Sequence, residues 1–279
     1  MNIKRILVTS AEGVKYQKAV RLAHEVKSEL SRLGVVTHLA SDVDIPHFTP
    51  DMVIAVGGDG TIMRSMKKYT PYGIPTFGVN GGTLGFLAGA EQDDWKDPLA
   101  RVLAGDFEIE ERLALSFTWR GQEFGPVANE VFLQHTRYPV WYQVAINDEV
   151  MGPGIESRGF MVATPTGSNA ENSSNFGKSL FPTSTDVVIT PMRPQHPAAA
   201  SFGIPQVANG GSVSITLLPE KYDGMTVEVW SDGQQYQVGG SDLGVGEVIV
   251  VRKHPLALKL ATFGLPQHFR ALRKKGYAL

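Results

Sequence analysis

Five consecutive apolar residues, Met52-Val53-Ile54-Ala55-Val56, run straight into Gly57-Gly58-Asp59-Gly60-Thr61. A strand with no polar position has no face to give to water, so it must be covered on both sides, the condition of a central strand in a parallel sheet. Ile62, Met63 and Met66 follow the glycines at spacing that suits a helix. Upstream, Ile6-Leu7-Val8 is a short apolar run, Leu22, Ala23, Val26 and Leu30 recur at helical spacing, Gly34 is placed to cap that helix, and Val35-Val36 opens another strand. Downstream, Ile74 to Val79 reads as a strand that stops at Asn80-Gly81-Gly82. Strands alternating with helices to about residue 105 predict an α/β domain on a doubly wound parallel sheet.

Beyond Phe107 the texture changes. Short β-rich runs (Leu113–Trp119, Glu130–Leu133, Trp141–Ile146, Phe160–Ala163, Val187–Thr190, Val213–Leu217, Val227–Trp230 and Glu247–Val251) are separated by Gly, Pro, Asn and Asp with little helical period between them. The expected division is an α/β domain over 1–105, an all-β domain over 106–265, and a tail over 266–279 with a short basic helix from Pro266 to Tyr277 that packs back on the first domain.

With 279 residues, of which 42% are apolar and 19% charged, the chain has core enough for one large or two modest domains. The formal charge is −2, and the only dense basic group is Arg270, Arg273, Lys274 and Lys275, read as a solvated helix face. Nucleic acid is therefore not expected as a partner. The absence of cysteine excludes disulfides, thiolate zinc sites and a cysteine nucleophile, and agrees with a reducing compartment. No run approaches the ~18–20 apolar residues of a membrane span, and the apolar stretch in MNIKRILVTS is too short for a signal peptide. A cytoplasmic protein without a membrane partner is expected.

A buried strand entering Gly57-Gly58-Asp59-Gly60-Thr61 and then a helix puts backbone N–H groups and a helix N-terminus where an anion can sit. A bare carboxylate repels phosphate, so Asp59 there would orient or deprotonate an attacking hydroxyl, or engage Mg²⁺ directly or through water. A plain β-to-α turn with an Asp near the helix start fits the local pattern equally well. In FGVNGGTLGFLAG the glycines fall at 78, 81, 82 and 85, without the order of a dinucleotide fingerprint, and a tight loop packed against the first site is expected. Asn129-Glu130 could grip ribose hydroxyls or an exocyclic amine, or be a solvated strand entry. Gly177-Lys178-Ser179 imitates a P-loop, but Asn172 stands where that motif needs glycine and no clear strand precedes it.

The order of these pieces resembles the NAD kinase family (ATP- or polyphosphate-dependent), in the superfamily of the diacylglycerol and sphingosine lipid kinases and phosphofructokinases. The resemblance covers nearly the whole chain. It rests on Gly57 to Thr61, GVNGGTLGFLA at 78–88, Asn129-Glu130, VATPTGS at 162–168, SDGQ at 231–234 and the tail HFRALRKKGY at 268–277. It implies a Rossmann-like N-terminal domain with a parallel sheet, an all-β sandwich C-terminal domain, and a homodimer or homotetramer whose subunits share an active site. It also implies Mg²⁺-dependent transfer of the ATP γ-phosphate to the adenosine ribose 2′-hydroxyl of NAD. Asp59 would be the catalytic carboxylate, Gly57, Gly58, Gly60 and Thr61 would hold donor phosphates, and Asn129 and Glu130 would contact the acceptor nucleoside. Thr164, Thr166, Gly167 and Ser168 would form the acceptor loop, continued by Asn169, Ala170 and Glu171, with Arg158 on the same wall. Which residues hold the metal the sequence leaves open.

The chain departs from the family at that wall. Arg158 stands where the family has Asp, Asn169 where it has Thr, Glu171 where it has Tyr, and Phe176-Gly177 where it has two glycines. Further on, Pro194-Gln195-His196-Pro197 replaces Pro-His-Ser/Thr-Leu, and AAASFGIP lacks an expected Arg-Pro. Arg158 reads either as an internal partner of Glu156 or Glu171 or as the mark of a more anionic acceptor, and the loss of a ring at 171 removes a face on which a base could rest. The leading reading is an NAD kinase-like phosphotransferase. The alternatives are a kinase of another hydroxyl compound (a nucleoside, sugar or polyol), a non-catalytic nucleotide sensor, and last a lipid kinase, for which no amphipathic membrane segment is evident.

Overall fold

A computed structural model describes residues 3–11, 13, 16–45, 47–195, 202–204, 210–219, 224–274 and 276. The chain divides into two compact units, Met1–Glu111 with Leu258–Leu279, and Arg112–Ala257. The first contains β1 (Arg5–Ser10), α1 (Gln17–Arg32), β2 (Val36–Leu39), β3 (Met52–Gly57), α2 (Asp59–Tyr69), β4 (Thr76–Asn80), β5 (Ala88–Glu91), α3 (Lys96–Leu103) and β6 (Glu108–Arg112). Its sheet has the order β2, β1, β3, β4, Leu258–Thr262, β6, with β5 also beside β4. The pairings of β1 with β2 and β3, of β3 with β4, and of β4 with β5 and Leu258–Thr262 are parallel.

The burial of β3 follows from its composition. Met52, Ile54 and Val56 enter a core with Leu22, Ala23, Val26 and Leu30 of α1, while Val53 points the other way, to Leu7, Tyr69 and Ile74. Helix α1 ends as its sequence indicates. Gly34 takes φ +80° and donates to the Ser31 carbonyl (3.1 Å), and Val35 donates to Leu30 (3.0 Å), the paired bonds of a Schellman stop.

The chain passes from β1 to β2 on one side and returns to β3 on the other side of β1, with Ser10 paired to Val56 at the strand ends. Open parallel sheets bind ligands outside the carboxyl ends of their strands, where the winding direction reverses. The Gly57 turn stands there, and Asn80, its register partner, ends the next strand over.

Leu258–Thr262, assigned to the all-β half by sequence, lies parallel to β4, with Leu260 opposite Thr76. Its LKLAT pattern suits either sheet, and only tertiary packing decides between them. The helix that follows runs Leu265–Lys274 rather than Pro266 to Tyr277; Lys275 and Tyr277 lie outside the described residues.

The second unit has two antiparallel sheets. One runs Glu149–Val150, Val140–Ile146, Ser212–Leu217, Val248–Lys253, Leu115–Trp119, Gln122–Val127, and the other Phe202–Ile204, Val187–Met192, Gly159–Ala163, Glu130–Gln134, Thr226–Ser231, Gln234–Tyr236. Alternate residues of both, Phe117, Trp119, Val213, Ile215 and Leu217 from the first and Val131, Leu133, Phe160, Val162 and Ile189 from the second, form one apolar core. This is a β-sandwich.

Gly89 of β5 lies under the fully buried Phe77 ring, and a Cβ there would fall 2.2 Å from Phe77 Cε2. Gly89→Ala is expected to destabilise the protein by about 1–3 kcal/mol or more, measured as a lower denaturant midpoint at unchanged m-value.

Candidate active site

In the first unit, two glycine turns at adjacent strand ends pack backbone to backbone. The Gly81 N–H donates to the Gly57 carbonyl (3.0 Å), and a Cβ on Gly82 would lie 3.0 Å from the Gly58 Cα. Gly57 is pressed from below by Thr61, whose side chain would meet a Cβ at 2.7 Å. The Thr61 amide bonds back to the Gly58 carbonyl (2.8 Å) and its hydroxyl accepts from Arg64 Nη2 (3.3 Å), so Thr61 braces the turn. Gly58 is the N-cap of α2, and the amides of Asp59 and Gly60, the first two of that helix, precede its first main-chain bonds, which run from Thr61 and Ile62 to the Gly58 carbonyl.

Asp59 is the first residue of α2. Its Oδ1 accepts from the Leu87 amide at 2.8 Å. Burial pushes its carboxyl above the ordinary range, the amides of Leu87, Phe86 and Gly85 pull it partly back, and the charge of Glu91 adds to the rise. The arrangement is a carboxylate of raised basicity, fixed by main-chain donors, beside an anion-accepting helix end. Among the described residues no three His, Asp or Glu side chains cluster as a metal cage. Mg²⁺ carried on nucleotide phosphates needs no such cage, because it characteristically takes one or two carboxylates along with phosphates and water; Asp59 fits that donor set.

In the second unit, Asn129, Glu130, Thr164, Thr166, Gly167 and Ser168 knit into one knot. The Thr164 amide donates to the Asn129 carbonyl (2.8 Å), its hydroxyl donates to the Ala128 carbonyl (2.6 Å), and that same hydroxyl accepts from the Gly167 amide (3.0 Å). A Cβ on Gly167 would fall 2.0 Å from the Asn129 oxygen, so only glycine fits. Arg112 Nη1 lies 3.5 Å from Thr166 Oγ1.

Asp232, missed as a site residue, organises the other side. Its two oxygens accept from the amides of Asn129 (2.7 Å) and Ala128 (2.9 Å). The signal was SDGQ, whose Asp-Gly reads as an ordinary hairpin turn; Asp232 does sit at φ +48°. Glu130 is 4% exposed, no described donor reaches its Oε2, and burial, with the charges of Asp232 and Glu171, pushes its carboxyl up to about 8.

Past Ser168 the loop is tied to itself. Asn169 Oδ1 accepts from the Ser179 hydroxyl (2.6 Å), and Ala170 links the Gly167–Asn169 turn to the short helix Glu171–Ser174. The fully buried Asn172 donates to the carbonyls of Ser168 and Lys178 (both 3.1 Å) and accepts from Thr190 (2.6 Å). Gly177 packs on the Asn172 amide, where a Cβ would meet Oδ1 at 2.1 Å. Gly177-Lys178-Ser179 therefore closes a loop and forms no P-loop.

Arg158 does not join the knot. It precedes the strand Gly159–Ala163 and Thr164 follows it, a separation of about 20 Å for extended chain. The pair expected with Glu156 or Glu171 is also not formed: Arg158 Nη1 reaches the Thr136 carbonyl at 3.5 Å, and Glu171 Oε1 accepts from Asn175 (3.3 Å). Of the downstream departures, residues 196–201 lie outside the described residues.

A family model described as the ATP-NAD kinase N-terminal domain matches residues 3–107. The NAD kinase of Heliobacterium modesticaldum is 32% identical over 231 residues, covering 81% of this chain and 78% of that protein. The chain belongs to the NAD kinase family. The NAD kinase of Bordetella parapertussis is 30% identical over 256 residues, 90% of this chain and 83% of its own. Yeast NADH kinase, solved with NADH, superposes with a TM-score of 0.79 at 18% identity, covering 98% of this chain and 87% of that one. An NAD kinase from Archaeoglobus fulgidus, solved with ATP, gives 0.72 at 20% identity, covering 97% and 99%. The α/β unit with its parallel sheet and the all-β sandwich are thus the fold of solved members of the NAD kinase family. No helix of the described residues is long and apolar enough to cross a membrane.

Glu130 gives a pH signature. The folded chain holds this proton at pH values where the unfolded carboxyl has lost it, so stability falls as pH rises from the ordinary carboxylate range through about 8. Glu130→Gln, neutral at every pH, is expected to match the parent near pH 4 and to exceed it at pH 8.5 by on the order of 5 kcal/mol, measured by urea denaturation at both pH values.

Proposed function

We propose that this chain is an ATP-dependent NAD kinase, transferring the γ-phosphoryl group to the 2′-hydroxyl of the adenosine ribose of NAD to give NADP. The observation that carries the proposal is Asp59: a partly buried carboxylate of raised basicity, fixed by a main-chain amide at a glycine-lined helix N-terminus, in a member of the NAD kinase family. Support for the substrates comes from relatives named NAD kinase over most of this chain.

Each residue's part in the mechanism follows from its surroundings. The turn at Gly57, Gly58 and Gly60 lets the donor phosphates approach the main chain, and the opening amides of α2 receive their charge, while Thr61 holds the turn in shape. Asp59 accepts the proton of the 2′-hydroxyl as its oxygen forms a bond to the γ-phosphorus and the bond from that phosphorus to the β–γ bridging oxygen breaks, releasing ADP. Burial raises the basicity of Asp59, which favours its taking that proton. Mg²⁺ bound with ATP would be held by Asp59, directly or through water, and supplies charge neutralisation at the phosphates. Asn129 and Glu130 take the acceptor nucleoside, with Glu130 in its neutral form able to donate a hydrogen bond, and Thr164 to Ser168 set the shape of that site. The working form in this reading is a cytoplasmic homodimer or homotetramer.

A second reading, the same transfer to another hydroxyl acceptor, is favoured by Glu171, a charged and exposed side chain where the family carries an aromatic ring. Purified protein with Mg-ATP and a panel of NAD, NADH and simple nucleosides separates the two. If NAD releases no more ADP than a blank while another compound turns over, NAD is not the acceptor.

Asp59→Asn keeps an oxygen for the Leu87 amide and removes the base. Turnover is expected to fall by about 10²-fold or more while the dissociation constants for ATP and NAD change only a few-fold. Undiminished turnover would take Asp59 out of the mechanism, and lost binding without lost chemistry would make it a binding residue.

A further inference from the structure

The helix Leu265–Lys274 takes no part in the transfer described above, yet its last turn is fastened to the glycine loop. Lys274 Nζ pairs with Glu91 Oε1, and the other oxygen of Glu91 accepts from Asn80 Nδ2 at 2.8 Å. Asn80, only 2% exposed, uses its own oxygen to accept from the Gly82 amide at 2.9 Å. Gly82 lies against Gly58, and its partner Gly81 bonds the Gly57 carbonyl. The far end of the same loop supplies the Leu87 amide to Asp59. Arg270, Ala271 and Lys274 line a crevice whose opposite wall is Leu84, Gly85 and Ala88, so the helix lies directly against this loop.

We propose that Glu91 and Lys274 are positioning residues: acting through Asn80, they fix the loop from Gly81 to Leu87 that holds both the Gly57-Gly58 turn and the Asp59 carboxylate. The proposal rests on the reading of Asp59 as the base.

The energetics favour position over stability as the purpose of this pair. The Lys274 and Glu91 side chains are 37% and 29% exposed, and an ion pair so open to water contributes little to folding. Asn80, by contrast, is buried with its amide group committed on both sides, so a shift at Glu91 must be passed to the loop or leave a buried donor unmet. A displacement of the base by a fraction of an ångström to 1 Å is enough to slow a phosphoryl transfer strongly. The charge of Glu91 also reaches Asp59 and adds to the rise of its carboxyl.

Lys274→Met and Glu91→Ala, singly and together in the full-length protein, test the relay with Mg-ATP and NAD. Each single variant is expected to lose about tenfold or more in kcat with KM for both substrates within about twofold. The double variant should be no slower than the worse single one. Lys274→Arg should restore most of the rate, and Glu91→Gln, still able to accept from Asn80, should retain more than Glu91→Ala. A readout independent of turnover is hydrogen exchange at the Gly82 and Leu87 amides, expected to quicken by about tenfold or more in both single variants. Unchanged exchange, an unchanged kcat, additive losses, or losses that merely track a falling thermal midpoint would each overturn the relay. Should Lys274→Met fail to fold, Glu91→Ala carries the test. If the parent protein does not phosphorylate NAD, the functional reading falls, and the exchange measurement alone decides whether the relay stands.

Discussion

A Cβ on Gly82 would fall 3.0 Å from the Gly58 Cα, so the close finish of β3 and β4 in two tight turns favours a residue without a side chain at Gly82. Much of the first unit depends on that approach. It brings the loop after β4 over the start of α2, close enough for the Leu87 amide to meet Asp59. Burial disfavours the charged form of that carboxylate, and the main-chain donors of Leu87, Phe86 and Gly85 offset part of that cost.

The second unit handles charge differently. Asp232 is satisfied by two amides of the chain it organises, whereas Glu130, a strand away, is buried with nothing described on Oε2. The two carboxyls thus take opposite roles in a small volume: one is a structural acceptor, the other a group held toward its neutral form. Leaving a carboxyl in that condition weakens the fold at neutral and higher pH, which is a reason to look for its use in ligand recognition rather than in packing.

Sequence alone revealed what is dictated locally. Met52 to Val56 could be little other than a covered strand, and the helix ending at Gly34 and the alternation of Val213, Ile215 and Leu217 were written in period and turn chemistry. The glycine loop's contact with the first turn was also legible, because two glycine clusters at neighbouring strand ends have few other places to go. What escaped was long-range. Leu258–Thr262 has the same pattern in either sheet, so its place beside β4 is a tertiary choice. Asp232 was hidden in a turn that needs no function to explain it. Arg158, placed on the acceptor wall by the family resemblance, stands one strand length, about 20 Å of extended chain, from Thr164, a distance that local pattern does not convey.

The first unit is discontinuous: its chain leaves after Glu111 and returns at Leu258. A ribosome that has reached Ala257 has made every strand of the sandwich but not the parallel strand that lies beside β4, nor the helix that carries Lys274. Domains fold as units when their parts are available, so the order of completion reverses the order of starting: the unit that begins first is completed last. The sandwich is then complete in sequence before the first unit is, and no chain lacking the final strand and helix carries a finished parallel sheet.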